Sequence, residues 1–148
     1  MNSKVKRLDY YKINNKIYND CYFLPNRDLK YEIKYARWLS KYFDSNVYLV
    51  PQVKTNGVRT PDYWVERINQ YWDLKMIDGN YKDIIDRIMK RSKQQTSCLL
   101  IRINKSILSV QYLREYIISK FKRYERMHIK EIILINNKSK LIVHVKRK

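Results

Sequence analysis

The sequence predicts a mixed α/β domain in which helices cover a central β-sheet. Segments whose apolar residues have helical spacing alternate with short segments rich in β-branched and aromatic residues. One of the latter, Ser97–Ile103, is almost entirely apolar, as expected of a central strand covered on both faces. A chain of 148 residues with 45% hydrophobic content can bury a core of its own.

The charge balance points to a nucleic acid as the partner. The chain carries 32 Lys and Arg against 14 Asp and Glu, a formal net charge of +18. Repulsion among these positive charges destabilises the compact state unless a bound polyanion offsets it. The 14 Tyr and three Trp residues add surfaces on which bases could stack. No membrane-spanning run or signal peptide is evident, so we expect no membrane partner and a cytoplasmic site of action.

The counts of cysteine and glycine argue against a disulfide scaffold, a zinc site and a phosphate-binding loop. Two cysteines, Cys21 and Cys98, are too few for a disulfide scaffold and lack zinc-site spacing. The two glycines, Gly57 and Gly79, do not make a phosphate-cradling loop. Nucleotide-driven chemistry is therefore not expected.

The chain is predicted to have an N-terminal arm or cap over residues 1–29 and a main domain over residues 30–148. The arm is basic and rich in tyrosine, with little periodicity. The main domain opens with a helix over Lys30–Phe43, because Tyr35, Ala36 and Leu39 share one helical face. The later predicted elements are a strand at Asn46–Val50, a loop at Gln52–Thr60, a hairpin at Asp62–Asp78, a helix at Tyr81–Lys93, a strand at Ser97–Ile103, a helix at Val110–Tyr124 and a closing hairpin of Glu131–Asn136 with Leu141–Val145.

The first hairpin carries the residues that could perform chemistry. Residues two apart on a strand share a face, so Asp73 and Lys75 are expected side by side. A two-residue turn, at either Ile68-Asn69 or Asn69-Gln70, would place Asp62 on the same face. Glu32 precedes Tyr35, Ala36 and Leu39 by three, four and seven residues, which sets it on the core-facing stripe of the first helix.

Acidic side chains that converge near a core need a compensating charge. A divalent cation would supply it for Glu32, Asp62 and Asp73, because unpaired buried carboxylates cost several kcal/mol. Carboxylate oxygens suit Mg²⁺ or Mn²⁺, with Zn²⁺ a further candidate, and such an ion can polarise a phosphate and activate water. Lys75 could then position that water and stabilise the transition-state charge.

These residues also resemble a known family. "PDY" at Pro61–Tyr63 followed by "WDLK" at Trp72–Lys75 looks like the PD-(D/E)XK nuclease signature. The helix "YEIKYARWLSKYF", followed by a strand ending in "LVP" at Leu49–Pro51, is similar to the start of the C-terminal nuclease domains of contact-dependent growth inhibition (CdiA-type) toxins. The similarity runs from about Tyr31 to the C-terminus.

The resemblance implies a restriction-endonuclease-like core over residues 30–148 and a metal-dependent endonuclease. Carried over by motif, its metal and catalytic residues are Glu32, Asp62, Asp73 and Lys75. Several relatives cleave tRNA and others cleave DNA, and on this resemblance alone RNA, particularly tRNA, is the preferred substrate. If the chain is a toxin, a small acidic immunity or antitoxin protein is its expected partner. Two departures from the family are Asp73, where Glu is frequent, and a turn at Arg67–Gln70 without glycine.

The helix after the hairpin supplies the predicted nucleic-acid-binding residues. They are polar or basic residues of that helix and its end: Lys82, Arg87, Lys90, Arg91, Lys93 and Gln94.

Two alternatives stay open. A metal-independent, barnase-like ribonuclease would use His144 as its acid or base, and it would cut in EDTA. A non-catalytic module would bind nucleic acid with a steep salt dependence and never cut it.

Overall fold

The computed structural model of the chain describes residues 3–22, 29–77, 86–87, 96–103, 109–123 and 128–147. These residues form a mixed α/β fold with a central sheet and, among the described ranges, two helices longer than one turn. The chain divides into two compact units, Met1–Trp72 and Asp73–Lys148.

The strands are β1 (Val5–Arg7), β2 (Tyr11–Ile13), β3 (Lys16–Tyr18), β4 (Cys21–Tyr22), β5 (Val47–Leu49), β6 (Gln52–Val53), β7 (Tyr63–Val65), β8 (Gln70–Ile77), β9 (Cys98–Ile103), β10 (Glu131–Asn136) and β11 (Leu141–Lys146), and the helices are α1 (Leu29–Phe43) and α2 (Val110–Arg123). The described strands of the main sheet follow the order β1-β5-β7-β8-β9-β10-β11, and β2-β3 and β4-β6 form two small ribbons. The first unit ends, and the second begins, within β8.

Helix α1 confirms the prediction for Lys30–Phe43. Its buried stripe contains Tyr35, Ala36 and Leu39, all fully inaccessible, and it packs on β5 and β7. The helix ends where Asp44 takes a left-handed conformation with φ of 48°, and the Ser45 amide then donates to the Ser40 carbonyl at 3.1 Å. This packing fixes the start of α1 against the first hairpin.

The first hairpin has a longer turn than the sequence predicted. Tyr63 pairs with Trp72 and Val65 with Gln70, so the turn is Glu66–Asn69 and the predicted two-residue loop is wrong. The reason is that Asn69 takes a left-handed φ of 47° and its amide bonds back to the Glu66 carbonyl at 3.1 Å. The predicted pairing of even-numbered with odd-numbered residues is nevertheless retained, since even-numbered residues of β7 pair with odd-numbered residues of β8.

The N-terminal segment contributes strands to the first unit. β1 pairs in parallel with β5, and the Val47 amide donates to the Lys4 carbonyl at 2.7 Å. Tyr11 of the β2-β3 ribbon is buried and meets Tyr71 edge-on, with ring centroids 5.6 Å apart. The boundary predicted between residues 29 and 30 stays a prediction.

The second unit is built on β9, which confirms the predicted central strand. β9 lies between β8 and β10, runs parallel to β10, and has four consecutive buried residues, Cys98–Ile101. α2 packs on β11 through Leu113, Ile117 and Phe121. Its N-terminus is capped by Ser109, whose Oγ accepts from the Tyr112 amide at 3.1 Å.

Part of the predicted helix Tyr81–Lys93 can be assessed. Asp86 and Arg87 are helical, and the rest of that prediction lies outside the described residues. None of the described helices has the length and apolar character needed to cross a membrane.

Candidate active site

Strand β8 brings Asp73 and Lys75 together, as their spacing predicted. Asp73 and Ile77 are 3% and 2% exposed on one face of the strand, and on the other face Trp72 is fully buried and Met76 is 42% exposed. Lys75 lies between Asp73 and Ile77 on their face, with its Nζ 2.8 Å from Asp73 Oδ2. The strand therefore holds a buried carboxylate against the ammonium of a half-buried lysine.

The acceptor capacity of Asp73 is incompletely used. Its Oδ2 is buried and has no well-formed hydrogen bond, although the Lys75 ammonium is within ion-pair distance. Close approach without hydrogen-bond alignment leaves the lone pairs of that oxygen poorly satisfied, which costs on the order of 1–3 kcal/mol. A buried oxygen in this state is suited to a further cation.

Glu32 and Asp62 lie in the first unit, where Tyr63 connects the segments that carry them. The fully buried Tyr63 donates its hydroxyl hydrogen bond to the Glu32 backbone carbonyl at 2.8 Å. Asp62 is the residue before Tyr63, and its carbonyl accepts from the Val50 amide at 3.0 Å. Both acidic residues are half-buried. Glu32 sits in the first turn of α1, where the helix dipole favours a negative charge.

The structure thus joins Asp73 to Lys75 directly, and it ties the backbone of Glu32 to the strand that follows Asp62. Within the described ranges of the chain, no three His, Cys, Asp or Glu side chains form a group that could hold a metal ion. The metal-binding roles stay predictions.

Of the six predicted nucleic-acid-binding residues, only Arg87 can be placed. Arg87 is helical and exposed, and its neighbour Asp86 forms an ion pair with Lys120 of α2 at 3.0 Å. Lys82, Lys90, Arg91, Lys93 and Gln94 lie outside the described residues.

A second buried pair joins Glu131 of β10 to His144 of β11. His144 Nε2 lies 2.6 Å from Glu131 Oε2, and the two side chains are 15% and 7% exposed. Glu131 pairs in register with Lys146, and Ile133 with His144, so the two residues are diagonal neighbours across the hairpin. The sequence predicted His144 as a candidate but gave no sign of Glu131. The register of the closing hairpin was the signal that could have found it.

The first unit also presents a row of side chains across four strands. Lys6 pairs with Tyr48, Tyr48 with Trp64, and Trp64 with Tyr71. The ring centroids lie 5.1 and 6.5 Å apart, and the Lys6 Nζ is 5.9 Å from the Tyr48 centroid. Trp64 therefore packs against aromatic rings of both neighbouring strands. Burial, with a smaller contribution from Tyr10, raises the pKa of Tyr71.

These observations define a strongly basic α/β domain with a buried acid–lysine pair on a strand of its central sheet. A protein-family model for the contact-dependent growth inhibition CdiA C-terminal domain matches residues 59–141, which is more than half of the chain. The chain therefore belongs to this family of toxin domains.

A solved structure has a similar fold. It is the CdiA-CT/CdiI toxin and immunity complex from Burkholderia pseudomallei, and the similarity covers 95% of this chain and 98% of that chain with a TM-score of 0.58. The two sequences are 17% identical, so this likeness concerns the fold alone. No curated protein matches the chain.

Proposed function

We propose that this toxin domain is a metal-dependent endonuclease that hydrolyses phosphodiester bonds in RNA, with tRNA as its preferred substrate. The observation that carries the proposal is the ion pair of the buried Asp73 with the half-buried Lys75, 2.8 Å apart on one face of β8. The pair lies inside the family match to residues 59–141, as does Asp62. An acid and a lysine two residues apart on a strand are what the PD-(D/E)XK signature requires.

The proposal assigns the metal-ligand role to Glu32, Asp62 and Asp73. The chemistry of these donors supports it, since carboxylate oxygens are preferred by Mg²⁺ and Mn²⁺, and Asp73 Oδ2 is buried without a well-formed hydrogen bond. Asp62 and Asp73 adjoin Tyr63 and Trp72, which are register partners in the hairpin. A bound divalent ion would supply Lewis acidity and lower the pKa of a water molecule. We extend the proposal to a restriction-endonuclease-like core.

Lys75 is assigned the positioning and charge-stabilising role. Its side chain is 30% exposed, so the ammonium can reach a water or a phosphate while its stem stays packed. The ammonium would orient the attacking water and stabilise the negative charge that develops on the phosphate oxygens. Its ion pair with Asp73 holds it in place before substrate binds.

The substrate class follows from charge and resemblance together. A net charge of +18 favours a polyanion, and the row of Lys6, Tyr48, Trp64 and Tyr71 offers half-buried rings and an ammonium on one sheet face. The preference for tRNA, and with it action in the cytoplasm, rests on the resemblance to CdiA-type nuclease domains.

We further propose that an acidic immunity protein binds this domain. The similar solved structure is a complex of a toxin with an immunity protein. A basic domain would associate fastest with an acidic partner, because complementary charge steers the encounter. Failure of every acidic protein encoded beside the toxin to bind it or to protect cells from it would contradict this part.

The test is cleavage of total tRNA, ribosomal RNA and plasmid DNA with Mg²⁺, Mn²⁺ or EDTA. Asp73→Ala and Lys75→Ala are compared with Asp9→Ala and Lys138→Ala, which remove the same charges at exposed positions. We expect metal-dependent cutting of tRNA that the first two substitutions abolish and the controls preserve. Cutting in EDTA, or tight binding without any cutting, would overturn the proposal.

A second candidate function is favoured by the contact of Glu131 with His144. A buried carboxylate 2.6 Å from an imidazole can fix the orientation of the ring, which is how a catalytic histidine is supported. A metal-independent ribonuclease that uses His144 would cut in EDTA and lose activity in His144→Gln. The cleavage assay above separates the two candidates with that one added variant.

A further inference from the structure

The second unit contains a cavity between α2 and β11 that the proposed metal-dependent chemistry does not use. Its volume is about 510 Å³, and cationic side chains from both elements and from the residue after β11 line it. They are Arg114, Lys122, Lys146 and Arg147. This α2–β11 cavity lies at the C-terminal end of the chain, away in sequence from Asp73 and Lys75.

The cavity favours an anion. Four cationic residues line it, and none of its lining residues is an Asp or a Glu. Lining residue His144 is held at 2.6 Å by Glu131, so the imidazole has a fixed place on the wall. Like charges around a concave surface repel one another and concentrate the field inside it, and a bound anion relieves that repulsion.

The lining also has an apolar part. Ile118, Phe121 and Val145 lie among the cationic residues, and Phe121 and Val145 belong to the core of the second unit. Pockets for small ligands have volumes of roughly 300–1,000 Å³ and combine an apolar surface with a few polar groups. A ligand with both a phosphate and a flat apolar group satisfies both parts of this lining.

We propose that the α2–β11 cavity binds one nucleotide of the nucleic acid strand, with its phosphate on the cationic residues and its base against Ile118. This inference rests on the proposed function for its choice of a nucleic acid. The concave form of the site favours a nucleotide over an acidic protein surface, because a protein partner buries roughly 800 Å² over a broad patch on each side. In the metal-dependent mechanism the cavity is an accessory binding site and takes no part in breaking the bond.

The test is an NMR titration in EDTA with the 5′-monophosphates of adenosine and uridine, which contain no phosphodiester bond to cleave. Adenosine and inorganic phosphate serve as separate arms. The double variant Lys122→Glu/Lys146→Glu, named the cavity reversal, reverses two charges of the cavity. It is compared with Lys138→Glu/Lys140→Glu, named the turn reversal, which makes the same change of charge in the exposed turn of the same hairpin. Ile118→Ala tests the apolar contact.

We expect the mononucleotides to shift resonances of α2 and β11 and to bind at least about tenfold more tightly than adenosine or phosphate. The cavity reversal should weaken this binding at least about tenfold, the turn reversal less than about twofold, and Ile118→Ala by an intermediate factor. Equal losses in both double variants would overturn the proposal, as would phosphate binding as tightly as the nucleotides.

The result is independent of the catalytic proposal. If the wild type cleaves tRNA but the mononucleotides do not bind, only the accessory site is refuted. If they bind as expected while no nucleic acid is cleaved, only the nuclease is refuted. Loss of mononucleotide binding when an acidic immunity protein is added, with no effect of the cavity reversal, would assign the cavity surface to that protein and overturn the nucleotide site.

Discussion

The Asp73–Lys75 pair and the Glu131–His144 pair look alike but differ in how they are satisfied. Each has a carboxylate that is nearly inaccessible, at 3% for Asp73 and 5% for Glu131, with a basic group within 3 Å. The Glu131 contact has hydrogen-bond geometry, whereas Asp73 Oδ2 has none. A short acid–base distance is therefore not a sign of function by itself. The two pairs differ in whether the carboxylate oxygen is hydrogen-bonded.

The difference also lies in how the pairs are built. Asp73 and Lys75 lie two residues apart on one strand, so the strand spacing itself brings them together, and the Lys75 side chain is 30% exposed. Glu131 and His144 come from β10 and β11 and link two strands of the closing hairpin. We interpret the first pair as poised for chemistry at a cost in stability and the second as a stabilising bond.

The largest expected effect separates the two pairs by activity. Asp73→Asn and Lys75→Ala should each lower the tRNA cleavage rate at least about a hundredfold, because each removes a group that acts in the transition state. Glu131→Gln should stay within about tenfold of wild type, measured below its unfolding temperature. Initial rates on purified tRNA with Mg²⁺ check this, and Asp9→Asn is the control for loss of a carboxylate. The interpretation is wrong if Glu131→Gln is the more damaging change.

The second largest expected effect is on stability, where Glu131→Gln should be more damaging than Asp73→Asn. Glu131→Gln should lower the free energy of unfolding by about 2 kcal/mol, since it weakens a buried hydrogen-bonded pair. Asp73→Asn should change it by less than about 1 kcal/mol or raise it, because burial of a neutral amide costs less than burial of a poorly satisfied carboxylate. Urea denaturation at pH 7 gives both values. A loss with Asp73→Asn as large as that with Glu131→Gln would make Asp73 a structural residue.

The smallest effect concerns Cys98, which pairs in register with Glu131. The pKa of the Cys98 thiol is raised to about 12, mainly by burial and to a lesser extent by the Glu131 carboxylate, against the opposing effects of the Ser97 hydrogen bond and of the Lys130 and Lys146 charges. Because the pKa of this thiol is higher in the folded than in the unfolded state, its contribution to the free energy of unfolding is fully present below pH 9. That contribution is lost as the pH rises from about 9 toward 12.

We therefore expect the wild type to lose about 1 kcal/mol of stability between pH 7 and 10 through this thiol. The Cys98→Ala variant, although less stable at every pH, should not show this part of the decrease in stability with pH. Urea midpoints at pH 7, 8, 9 and 10 measure it. Identical slopes for the two proteins would show that Cys98 does not resist ionisation.

Strong periodicity made much of the fold predictable. Tyr35, Ala36 and Leu39 identified α1 because they form one buried stripe, and the apolar run at Cys98–Ile101 identified the central strand because both its faces are covered. The shared face of Asp73 and Lys75 followed from strand spacing alone. In each case the local pattern and the tertiary packing agree.

What escaped prediction depended on long-range pairing or on backbone conformation. β1 is only three residues long, and it is a strand because it pairs with β5 some forty residues later. The turn at Glu66–Asn69 depends on the left-handed φ of Asn69, which composition permits but does not require. The contact of Glu131 with His144 depends on the register of β10 with β11, which the residue pattern of the two strands does not determine.

The most direct test of the central claim, that Asp73 belongs to a metal site and Glu131 does not, is Mn²⁺ binding measured by electron paramagnetic resonance. Free Mn²⁺ is titrated with the wild type, Asp73→Asn and Glu131→Gln at low ionic strength, in the absence of nucleic acid. We predict that the wild type and Glu131→Gln bind Mn²⁺ with similar affinity and that Asp73→Asn binds it at least about tenfold more weakly. Equal binding by all three proteins, or a loss confined to Glu131→Gln, would contradict the claim.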